Sequence, residues 1–272
     1  MKLFSGILGL TLSSVVALAT ANAADLSAGP AGYKDGPVYA GPGWAGFYIG
    51  INGGYGWSAR STDNTIVDVW HTTPQVITNV PVKAPDPRGG FGGGQIGYNW
   101  QKDHLVIGVE ADIQAAAIEG NASSSFPGGG PLCGYDYTAK RSMDYFGTLR
   151  GRVGYATDST LAYATGGFAY GDGKYSGAAT FNAGGGCAGA AFAFNKSGIE
   201  TGYAVGGGLE HKITPSWSLK AEYQYINLGS VTLNNVYFGW PDYSNSLKVE
   251  NDFHTVRLGL NYHVGSGYEP LK

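Results

Sequence analysis

The chain has 272 residues, a formal net charge of −3, only 14% charged side chains, 46 Gly and 19 Tyr. Ordinary globular chains carry about 25% charged residues, so this balance argues against a helical enzyme and against a disordered tail, and suits thin strands with aromatic belts. The mild acidity implies no polyanion partner, and no nucleic acid is expected.

Residues 1–23 read as a cleaved signal peptide. Lys2 is the positive n-region, residues 7–19 the apolar core, and Ala21-Asn22-Ala23 the cleavage site. Thr11, Ser13 and Ser14 interrupt the core, which is too short to span a bilayer as a helix. No later stretch reaches 18 apolar residues, so a membrane crossing would have to use strands. Residues 24–45, with Pro30, Pro37 and Pro42, show no period and read as an extended periplasmic linker.

Period-two alternation then begins, which is the strand signature because successive side chains point to opposite faces. It predicts eight strands, over 47–58, 90–100, 105–117, 142–155, 160–170, 199–211, 217–227 and 253–264. The third is the most informative. Leu105, Ile107, Val109, Ala111 and Ile113 alternate with Gly108, Glu110, Asp112 and Gln114. One face is clean enough for lipid, and the other carries carboxylates that an apolar core would reject. The first strand sets Phe47, Ile49 and Ile51 against Tyr48, Gly50 and Asn52, and the fourth sets Met143, Tyr145, Leu149 and Val153 against Asp144, Thr148, Arg150 and Arg152. In the fifth, Gly166-Gly167 makes the parity ambiguous, because a bulge there would exchange the faces.

Short links at 101–104, 156–159 and 212–216 alternate with long ones at 59–89, 118–141, 171–198 and 228–252. Short turns at one end and long loops at the other are the plan of an all-β, eight-stranded, antiparallel up-and-down transmembrane barrel, here over residues 46–264, with 265–272 as a C-terminal extension. Threading the strands up and down puts Tyr98, Trp100, Tyr155, Trp217 and Tyr262 near the short turns. Tyr55, Trp57, Phe91, Tyr145, Tyr203 and Tyr225 fall near the long loops. Two aromatic girdles of this kind mark the two interfaces of a membrane.

By the same parity the lumen receives Glu110, Asp112, Asp144, Glu210 and Glu222 against Arg150, Arg152, Lys220 and Arg257. Charges this close to balance are expected to neutralise one another and to fill a narrow bore with side chains. An ion path lined by the same residues is the alternative.

Motifs for catalysis are weak. Gly92-Gly93-Gly94-Gln95-Ile96-Gly97 matches a dinucleotide fingerprint but continues as a strand instead of opening a helix. The five histidines, His71, His104, His211, His254 and His263, are dispersed, and neither a metal site, a cofactor nor a catalytic centre is expected. Cys133 and Cys187 fall in Gly-rich loop segments and become a plausible disulfide after export, with two free thiols as the alternative. In the last long loop Tyr237, Phe238, Trp240 and Tyr243 form a dense aromatic cluster, either packed over the barrel mouth or presented as a contact surface.

Trp44-Ala45-Gly46-Phe47-Tyr48-Ile49-Gly50, the run 146–155 (FGTLRGRVGY), Tyr163-Ala164-Thr165-Gly166-Gly167 and the run 256–262 (VRLGLNY) resemble the small alphaproteobacterial outer-membrane barrels of the outer-membrane immunogenic or RopB type. The resemblance implies an eight-stranded barrel in the outer membrane, in contact with its lipids, with roles in envelope integrity and surface exposure. Some relatives are associated with haem or host contact, although no motif carries that onto named residues. One departure is Val264, which stands where such barrels usually close on an aromatic residue. The expected function is a non-enzymatic envelope protein that displays surface loops. The alternatives are a narrow porin-like channel for ions or small solutes, and a surface receptor or adhesin.

Overall fold

The computed structural model describes residues 43–60, 64–70, 76–126, 134–181, 191–234 and 243–264. Eight strands form a ring: β1 (Gly46–Ser58), β4 (Arg88–Lys102), β5 (Leu105–Phe126), β6 (Tyr135–Ala156), β7 (Thr160–Phe181), β8 (Ala191–Lys212), β9 (Trp217–Asn234) and β10 (Tyr243–His263). Each pairs antiparallel with its neighbour, and β1 pairs β10 from Tyr48↔His263 to Ser58↔Phe253, which joins the first strand to the last. The turns at 103–104, 157–159 and 213–216 are short, and Asp103 adopts φ 53° in the first of them.

Two further strands come from the first long connection. β2 (Asn64–Trp70) and β3 (Val76–Val82) form a hairpin, and β2 pairs β10 at Tyr243–Leu247, where β1 has already ended. The other long connections also differ from expectation. β5 through β8 are 22 residues each, whereas a membrane-crossing strand needs about 9–11. Most of what the sequence suggested as loop is therefore barrel wall continued beyond the apolar belt.

The faces follow the pleat. Ile107 is 51% exposed on the outer surface, while Val106 and Glu110 on the same strand are buried. Leu149, Leu209 and Leu258 stand on the same outer belt. In the fifth expected strand, now β7, the alternation runs without a break. Leu161, Tyr163 and Ala169 are buried and Phe168 is exposed, so Gly166-Gly167 carries no bulge. Of the aromatics placed near the long loops, Tyr55 and Tyr203 face outward, but Phe91 points inward and packs edge-on to Phe146.

Bulges do occur, at a common height. In β6 the inward residues are Tyr137, Arg141 and Met143 above and Phe146, Thr148 and Arg150 below, so the parity changes between them. The two N–H groups freed there, of Asp144 and Tyr145, both donate to Asp172 Oδ1 on β7, at 2.8 and 2.9 Å. Met143, expected on the lipid face, is buried for this reason, in a layer with Phe146, Ile226 and Phe253. In β9 the extra residue lies at Leu228-Gly229, opposite the step from Asp252 to Glu250, and Gly229 takes φ +84°, the left-handed bulge geometry that glycine adopts without cost.

Above these bulges the ring divides. β8 pairs β9 only from Lys212 up to Tyr203, and β4 pairs β5 only as far as Glu119. The upper wall is thus two leaves, β5-β6-β7-β8 and β9-β10-β2-β3. Tyr137 and Tyr175 of the first leaf pack against Leu233, Leu247 and Val249 of the second.

Candidate functional site

The site is built by strand pleat. Even positions of β5, β6, β8 and β9 and odd positions of β10 face the bore in the lower barrel, so each long polar side chain is delivered to the axis by its neighbours' register. Glu110 lies directly opposite Arg150, Glu210 opposite Lys220, and Glu222 opposite Arg257. Four carboxylates (Glu110, Asp112, Glu210, Glu222) and four cations (Arg150, Arg152, Lys220, Arg257) are all buried.

Arg150 is the hub. Its Nη2 lies 2.5 Å from Glu110 Oε1 and 3.0 Å from Asp112 Oδ2, and its Nη1 lies 3.1 Å from Glu222 Oε1 across the bore on β9. Its Nε donates to Thr148 Oγ1 at 2.7 Å, and that hydroxyl donates to Asp112 at 2.5 Å. Lys220 reaches from β9 to β5, with Nζ 3.1 Å from both oxygens of Glu110 and 2.8 Å from Gln95 Oε1. Arg257 stands 3.4 Å from Asp112 and 3.5 Å from Glu222 and donates to Gln224. Buried charges are tolerable only when each finds such partners, because desolvation of an isolated ion costs several kcal/mol.

A second group lies nearer the short turns. Arg152 Nη2 is 2.8 Å from Glu210, and its guanidinium sits 4.1 Å from the Tyr163 ring centroid. Ser218 and Asn261 donate to Glu210 Oε1 at 2.6 and 2.7 Å. Two tyrosines tie the groups together: Tyr48 donates to Glu110 Oε2 at 2.7 Å and Tyr163 to Glu222 Oε2 at 2.6 Å. Their rings lie where glycines make room, Tyr48 over Gly97 and Tyr163 against Gly208; a Cβ on Gly97 would run into the Tyr48 ring.

Of the nine charged residues that parity assigns to the lumen, the structure brings eight together. Asp144 is the exception. It sits in the β6 bulge, its side chain 60% exposed, and pairs with Lys174 on β7. The added residue rotated it out of the alternation. Tyr48, Tyr163, Thr148, Gln95 and Gln224 belong to the network as fully as the ions do; inward parity is readable from sequence for all of them except Tyr163, whose strand has ambiguous parity, and their reach across the bore is readable for none.

The short-turn end has its own closure. Trp44, assigned from sequence to the end of the linker, is buried with Val106, Ala156, Leu161 and Tyr163. Its backbone N–H donates to Gln101 Oε1 at 2.6 Å and its indole N–H to Thr157 O at 3.3 Å. Lys212 Nζ lies 5.0 Å from its ring and donates to Gly43 O at 2.7 Å. Among the described residues each histidine has its own partner: His104 stacks on Tyr155, His211 meets Thr160, His254 meets Tyr223, and His263 meets Ser218. Cys133, Cys187, His71, Tyr237, Phe238 and Trp240 lie outside the described residues, as does the side chain of Tyr243.

Comparison with known proteins gives a consistent result. A family model described as "Outer membrane protein beta-barrel domain" matches residues 10–263. The 31 kDa outer-membrane immunogenic protein of Brucella melitensis is 37% identical over 80% of this chain and 83% of its own. The 22 kDa outer membrane protein of Rhizobium leguminosarum bv. viciae is 28% identical over 84% of this chain and 81% of its own. Among solved structures, the outer membrane protein OprG of Pseudomonas aeruginosa aligns at TM-score 0.42 and 13% identity, over 82% of this chain and 99% of that one.

Proposed function

Because the chain belongs to the outer-membrane β-barrel family, alongside the alphaproteobacterial outer-membrane immunogenic proteins, we propose that this outer-membrane protein works as a non-enzymatic wall element. It supports the envelope, contacts outer-membrane lipids through its apolar belt, and passes little through its bore. The observation that carries the reading is the position of Arg150. One fully buried guanidinium touches carboxylates from β5 and from β9, so the span between opposite walls is occupied by side chains held in ion pairs. Near-equal numbers of acids and bases suit mutual neutralisation better than selection of one ion sign.

A narrow porin-like path is the second reading. It is favoured by buried polar atoms without a hydrogen-bond partner among the described residues, including both amide atoms of Asn99 and the hydroxyl of Thr255, because such atoms are normally satisfied by water. Planar-bilayer recording separates the two. The wall reading expects no steady openings from the wild-type protein and new openings from the Glu110→Ala/Arg150→Ala/Lys220→Ala variant. Steady wild-type openings whose size changes in Arg150→Ala or Glu222→Ala would replace the wall with the channel.

A further inference from the structure

Between the two leaves of the upper barrel is a cavity of about 390 Å³. Its floor is the apolar layer already described, where Tyr137, Tyr175, Phe194, Leu233 and Val249 present rings and methyl groups. Its rim is basic. Arg60, Lys83, Lys140, Arg141 and Lys248 line it with one carboxylate, Glu250.

Two of the cations are already committed. Arg60 bridges Glu250 and Asp252, and Lys140 Nζ stands 2.8 Å from Glu119. The other three have no carboxylate within 4 Å among the described residues. Arg141 Nη1 donates to the backbone oxygen of Glu250 at 3.0 Å. Lys83 is fixed through its backbone, whose N–H donates to Ser124 Oγ at 2.9 Å across the seam between β3 and β5. Lys83 and Lys248 are both exposed. Three cations lining a cavity with an aromatic floor make a site that a neutral apolar solute would leave half used, and that a bare anion would also leave half used.

We propose that this cavity binds a phosphate or sulfate monoester carried on a ring-shaped body. The ring takes the aromatic floor. The ester's three terminal oxygens, each an acceptor of charge-assisted hydrogen bonds, take the ammonium groups of Lys83 and Lys248 and the guanidinium of Arg141. Such a group is found both on free solutes and on phosphorylated glycolipid headgroups. The site is separate from the bore, since its floor lies above the β6 and β9 bulges and shares no residue with the charged network.

The test uses the full mature chain in lipid nanodiscs and titration calorimetry with three probes: 4-nitrophenyl phosphate, 4-nitrophenol and inorganic phosphate. The aryl phosphate is expected to bind at least about tenfold more tightly than either fragment. In Lys83→Gln/Lys248→Gln its affinity is expected to fall by about tenfold while 4-nitrophenol is unaffected; Phe194→Ala is expected to weaken both ring-bearing probes. Both lysines are exposed, and an unchanged heat-dependent gel mobility certifies that the double variant is folded. Adding a phosphorylated glycolipid to the nanodiscs separates the sources: competition assigns the site to a lipid headgroup, and undiminished binding assigns it to a free solute. Absence of saturable binding into the millimolar range, or equal affinity in wild type and double variant, overturns the proposal.

Discussion

Arg150 and Glu110 are cross-strand neighbours on β6 and β5, 2.5 Å apart, and neither side chain is more than 3% exposed. Local pairing brings them together, but the environment gives the pair its weight. Arg150 also holds Asp112 and Glu222, so its loss would leave three buried carboxylates short of a partner.

Arg150→Met is expected to cost about 3–5 kcal/mol, the usual penalty for removing one partner of a buried ion pair. Urea unfolding of the refolded barrel, followed by the loss of heat-dependent gel mobility, measures it. Arg150→Met/Glu110→Gln/Asp112→Asn, which removes the stranded charges as well, is expected to recover part of the loss. A triple variant no more stable than the single one would show that desolvated charge is not what Arg150 offsets.

The outer belt gives the opposite sensitivity. Ile113 stands 57% exposed on β5, between the level of Trp100, which pairs with Ile107, and that of Tyr145, which pairs with Ala115. Ile113→Arg is expected to cost about 2–4 kcal/mol at the bilayer midplane, and Ile113→Leu to be nearly silent. Equal folding yields for the two variants in lipid vesicles would contradict the assignment of this face to hydrocarbon.

Two glycines near the bulge layer separate backbone strain from space. At Gly229 a Cβ would meet only Thr201 O, at 3.9 Å, but φ is +84°. At Gly198 a Cβ meets nothing within 4 Å and the backbone is ordinary strand. Gly229→Ala is therefore expected to destabilise by about 1–2 kcal/mol, and Gly198→Ala to be neutral or slightly stabilising. Denaturant midpoints of the two variants provide the comparison.

Sequence alone determined the ring of eight strands, the outward grease and the inward charge, because a period of two is a local property of the strand: Ile107 and Glu110 declare opposite faces within four residues. It also turned nine ions inward, eight of which share the bore, since parity along each strand is inherited from residue to residue. Parity breaks where a strand gains a residue, and nothing local announces that gain. The β6 bulge exists because Asp172, on another strand, receives the N–H groups of Asp144 and Tyr145, and it carries Asp144 out of the bore and Met143 into the interior. The same holds for the contact of Lys220 with Glu110, for the burial of Trp44 under the short turns and for the two leaves with their basic cavity. Each joins residues far apart in the chain, so ring closure and the register of neighbouring strands decided them, and only the tertiary structure contains that information.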